Sequence, residues 1–106
     1  MTLEERADLV LAVARVLYVN GQSTDQTLAS AEEVGHILGL QAKIMPRWGE
    51  LQLEAQDRGM RFISVVAADP TGVAMGRVAS ALRVVEDLSA GKLSPVAARD
   101  AIKEIW

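Results

Sequence analysis

The only histidine, His36, stands four residues after Glu32, and hydroxyls at Ser23, Thr24 and Ser64 are accompanied in the chain by carboxylates at Asp25 and Asp69. These are the residue types from which a nucleophile, a base and an orienting acid are assembled for hydrolysis. Their spacing matches no such assembly: no strained Gly-x-Ser-x-Gly elbow surrounds a serine. Ser23 opens a Ser-x-x-Gln pattern in which its hydroxyl faces the Gln26 amide, so it already has work as a helix cap. Glu32 and His36, at i and i+4, share a helix face and offer one oxygen and one nitrogen to a cation. Zinc needs three or four ligands, and with no cysteine and no second histidine the pair reads as a solvated surface. No catalytic residue, metal ligand or cofactor is assigned.

The segment Asp69-Pro70-Thr71-Gly72-Val73 offers different chemistry. Pro70 disfavours helix at the residues before it, and Thr71 or Gly72 can cap a helix that starts at about residue 73. Unpaired amides at Thr71, Gly72 and Val73, together with the helix dipole, could then hold a small carboxylate. Every helix has such an end, so an ordinary cap is the competing reading.

Several function classes are excluded by composition. With 11 Lys and Arg against 14 Asp and Glu, the net charge of −3 opposes phosphate-driven nucleic-acid binding. Arg58 and Arg61 mark a turn and its flank rather than a basic patch. The absence of cysteine removes disulfides, thiol catalysis and thiolate metal sites. The acidic start, Met1-Thr2-Leu3-Glu4-Glu5, is unlike a secretory signal. Arg15 interrupts the longest apolar stretch, Leu9 to Val19, which is too short to cross a bilayer. A cytoplasmic domain is expected.

The elements that must position these residues follow from periodicity. Leu3, Ala7, Val10, Ala14 and Leu17 recur at helical spacing, and Leu9, Val13, Val16 and Tyr18 widen the apolar face, so this helix should be central. Asn20-Gly21 ends it. A second helix, with Leu28, Ala31, Val34 or Gly35, and Leu38 inward, runs from the Ser23 cap to Gly39, where Leu40 is placed for a Schellman contact. The period then becomes two. Ala42 and Ile44 form a strand, a break falls at Pro46-Arg47-Trp48-Gly49, and Leu51, Leu53 and Ala55 form another. Beyond a turn at 56–59, residues 60–67 make a third strand whose Phe62 and Val66 oppose Ile63 and Val65, so that neither face suits water. A third helix over residues 73–90 turns Val78, Ala81, Leu82, Val85 and Leu88 inward and stops at Gly91. Ser94 and Pro95 open a fourth, carrying Val96 or Ala97, Ala101 and Ile105 inward, with Trp106 beyond. The four methionines read as gap-filling core. The fold class is therefore α+β in the order ααβββαα: one domain, with a three-stranded antiparallel meander and four helices mainly on one face.

In their order and spacing, Asn20-Gly21-Gln22-Ser23-Thr24, Leu38-Gly39-Leu40, a meander with Pro46 near its first turn, Asp69-Pro70-Thr71-Gly72-Val73 and Ala90-Gly91-Lys92-Leu93-Ser94-Pro95 resemble the soluble N-terminal domain of the threonine/serine exporter family. The likeness covers nearly the whole chain. It departs at Pro46-Arg47-Trp48-Gly49, where a bulky aromatic replaces small residues. The resemblance implies an accessory sensing or assembly domain on the cytoplasmic side of the membrane. Its partners would be a transmembrane transporter portion or subunit, a small amino acid or carboxylate, and further copies of itself. Assembly would use the apolar second face of the third strand with Ile102, Ile105 and Trp106. A hydrolase-like domain acting on small amino-acid or peptide substrates is the alternative.

Overall fold

In the computed structural model, which describes residues 1–106, α1 (Leu3–Val19) and α2 (Thr24–Ile37) precede β1 (Gln41–Arg47), β2 (Glu50–Asp57) and β3 (Met60–Ala67). Then come α3 (Met75–Ser89) and α4 (Pro95–Ile105). The sheet is an antiparallel meander in the order β1-β2-β3. The α+β class and element order expected from periodicity hold.

Layering follows from where the apolar residues fall. Alternation along the strands sends Ile44, Leu51, Leu53 and Ala55 to one face, and all four are buried. Against that face lie α1 and α2, while α3 and α4 pack behind them, their backbones further from the sheet. α1 is thus enclosed on two sides, which explains why its buried set, from Ala7 to Leu17, exceeds one stripe. Burying a leucine such as Leu9, Leu17 or Leu53 contributes about 1.5–3 kcal/mol.

Caps fix the boundaries. At the end of α2, Leu40 N–H donates to the Gly35 carbonyl at 2.8 Å and Gly39 N–H to the His36 carbonyl at 3.0 Å, a Schellman closure. Ser23 and Ser94 accept from the Gln26 and Ala97 amides as their spacing predicts. The Gln26 side chain does not reach back, so the first cap is half a box. A complete box, unforeseen, opens α1: Glu5 N–H donates to Thr2 Oγ1 and Thr2 N–H donates to Glu5 Oε1.

Other expectations are corrected. Pro46 lies inside β1, opposite Leu51, rather than in a break; an edge strand tolerates a residue with no N–H because its outer side has no partner. In α4 the buried residues are Ala98 and Ile102, not Val96 or Ala97, because α4 leans on both α1 and α3 and turns Val96 to solvent. Ile102 is therefore unavailable to a partner. Met1, Met60 and Met75 are exposed and Met45 half-buried, so the methionines do not fill the core.

Candidate functional site

The helix entered through Thr71 begins later than its spacing suggests. α3 starts at Met75, and Ala74 precedes it without any side-chain cap. Residues 71–74 instead form a strap over the end of α1: Thr71 N–H donates to the Val19 carbonyl at 3.4 Å and Ala74 N–H to the Asn20 carbonyl at 2.9 Å. These are carbonyls that α1 leaves without helical partners. Gly21 permits the approach, since a β-carbon there would lie 3.2 Å from Val73 Cγ2. The strap spends the Thr71 amide and leaves Gly72 and Val73 outside the helix, three and two residues before Met75, so the dipole argument for an anion at Thr71-Gly72-Val73 fails on geometry.

A different arrangement stands at the same place. Between the end of α1, the end of β3, the strap, the first turn of α3 and the C-terminal residue lies an open cleft of about 450 Å³, lined by Arg15, Val19, Asn20, Ala67, Asp69, Thr71, Arg77 and Trp106. Thr71 is the one residue of the expected trio on its wall. Arg15 projects from α1, and its guanidinium carbon lies 4.0 Å from the centre of the Trp106 ring, a cation–π stack. Stacking holds the fork in one plane, and Nε is buried without a partner. Arg77 comes from the first turn of α3, and Asp69 from the loop after β3. The chain's ion pairs are Arg6–Asp57, Arg61–Glu54 and those of Arg99 with Glu5 and Asp100, so Arg15, Arg77 and Asp69 are all unpaired. Asn20 Nδ2 donates to the Val16 carbonyl at 2.8 Å, which orients the amide and leaves Oδ1 without a donor from the chain.

Chemically, two guanidinium groups and a hydroxyl suit a carboxylate, and a carboxylate in the same wall suits an ammonium. Trp106 closes one side with an apolar face. Both Arg77 and Asp69 are exposed, so each contact is of the modest, solvent-screened kind. The Arg15–Trp106 pair also borders a second, more apolar cavity of about 340 Å³ between α1, β3 and α4. Asp8 lies at its wall, its carboxyl raised above the usual range by desolvation and by neighbouring Glu4.

The hydrolytic candidates are not brought together. Ser23 caps α2, Thr24 and Asp25 lie exposed in its first turn, and His36 lies exposed near its other end. Ser64 faces the second cavity, where no histidine lines the wall. Glu32 and His36 are both exposed, and no group of three or more potential metal ligands forms around them. Neither Arg15 nor Arg77 stood out as a binding residue in the sequence; the one signal was Arg15 interrupting an otherwise apolar stretch. No helix is long and apolar enough to cross a membrane. No family model, curated protein or solved structure matches the chain.

Proposed function

We propose that this chain is a non-catalytic accessory domain of a threonine/serine exporter-like membrane transporter, on the cytoplasmic side, and that it senses a small amino acid. The observation that carries the reading is the cleft whose wall holds Arg15, Arg77, Asp69 and Thr71, its three charged residues having no ion-pair partner in the chain. Unpaired charges of both signs in one concavity match a zwitterion, whose carboxylate takes the guanidinium groups and whose ammonium takes Asp69. The order of caps and turns that resembles the exporters' N-terminal domain supplies the transport context. Sensing needs only a difference in affinity between two arrangements of the domain and its membrane partner, not turnover.

Cells fed a threonine-containing dipeptide test this in place. Those lacking the chain are expected to retain more free threonine and serine than those making it, with the Arg77→Ala chain restoring export only in part. Equal retention with and without the chain contradicts the proposal.

A further inference from the structure

The two edges of the sheet are unlike. β1 carries Lys43, Pro46 and Arg47, the residues with which natural edges discourage pairing. β3 reads Met60-Arg61-Phe62-Ile63-Ser64-Val65-Val66-Ala67, with one charge and no proline, and no helix or strand pairs with its outer side. The side chains of Ile63 and Val65 are about half exposed, at 53% and 51%, on the open face of the sheet. Because Asp57 and Met60 flank a two-residue turn and Ala68 N–H donates to the Gly49 carbonyl, Met60, Phe62, Ser64 and Val66 spend their main-chain groups on β2. Arg61, Ile63, Val65 and Ala67 therefore direct theirs outward, unpaired.

We propose that β3 pairs antiparallel with β3 of a second copy of this chain across a two-fold axis at Ser64, giving a continuous six-stranded sheet. The strand is self-complementary in that register. Ile63 falls opposite Val65 of the second copy, Phe62 opposite Val66, Arg61 opposite Ala67 and Ser64 opposite itself, so apolar side chains meet on both faces. The four residues with free main-chain groups pair only with one another. The two Arg61 side chains lie six positions apart, about 20 Å along the strand, and each is already paired with Glu54 of its own sheet. Growth stops at two, because the outer edges of the six-stranded sheet are both β1 with its Pro46 and Lys43. A homodimer formed on this edge does not depend on ligand binding in the Arg15 cleft, so the two proposals fail separately.

Sedimentation of the whole chain from micromolar to millimolar concentration tests the pairing. The mass is expected to rise from 11.4 kDa towards twice that value. Ile63→Lys puts a charge into the joint, and Val65→Pro removes an outward N–H without touching the β2 ladder; both are expected to stay monomeric with unchanged circular dichroism. Ser64→Cys, in a chain with no other cysteine, is expected to form a disulfide-linked dimer under mild oxidation. A wild-type chain that stays monomeric throughout would overturn the proposal. So would a dimer that survives both edge substitutions while Ser64→Cys fails to cross-link.

Discussion

Arg15 and Arg77 are basic residues without an acidic partner in a chain whose net charge is negative, and both line the cleft that Asp69 shares. Arg77→Ala, at an exposed position, should leave thermal stability unchanged and weaken threonine binding about threefold, as for losing a solvent-screened ion pair; calorimetric titration measures it. Arg58 is the only non-glycine residue with positive φ, 51°, and with Gly59 at 81° it makes the two-residue turn between β2 and β3. Arg58→Asn should therefore stabilise the fold by about 1 kcal/mol in urea denaturation, by relieving left-handed strain. Glu5 accepts from the Thr2 backbone N–H, and that bond first, then the Thr2 hydroxyl, holds its carboxyl below the ordinary value of 4.5. A depressed folded value means that the cap's contribution is complete above the unfolded value and is lost as pH falls through the folded one. Glu5→Gln should flatten that acid portion of the stability–pH curve, measured by denaturation at successive pH values. Neither Arg15 nor Arg77 announces itself by type: Arg15 is one charge in an apolar helix, and Arg77 reaches the same cleft as Asp69 only because the strap docks on α1.

The helices and strands were largely legible, because their boundaries are set by local chemistry. Ser23, Ser94, Gly39 and Gly91 act where their spacing places them, as caps whose partners lie within a few residues. What spacing could not reveal is competition from distant groups. Thr71 and Gly72 have the composition of a helix start, yet the carbonyls of Val19 and Asn20 capture the segment and delay α3 to Met75. Pro46 reads as a break and is tolerated because β1 is an edge, a fact of topology. Helix-to-sheet packing also sets a size limit at Gly35, where an added β-carbon would meet Ala42 Cβ at 2.8 Å. Gly35→Ala gains helix propensity of about 1 kcal/mol but forces α2 away from β1. A net loss of about 1 kcal/mol is expected, partly restored by the double change Gly35→Ala with Ala42→Gly, in a double-mutant cycle by thermal denaturation.

At the scale of the whole molecule, three layers leave one face of the sheet and one of its edges without cover, and place the cleft where α1, β3, α3 and the C-terminal residue converge. The α+β class was readable because apolar periods change from helical to alternating and back; the layer order was not, since α3 and α4 carry apolar faces that would suit a sheet as well as another helix pair. The cleft, built from five parts of the chain, belongs to that tertiary level. Its central claim, recognition of a zwitterion, is tested most directly by following the amides of Asn20, Asp69, Thr71 and Arg77 and the Trp106 indole N–H by NMR during titration with threonine, N-acetylthreonine, threonine amide and succinate. Threonine should shift these signals together, and blocking either charged end should weaken the response about threefold or more. Signals unmoved by threonine, or moved equally by all four compounds, would contradict the account.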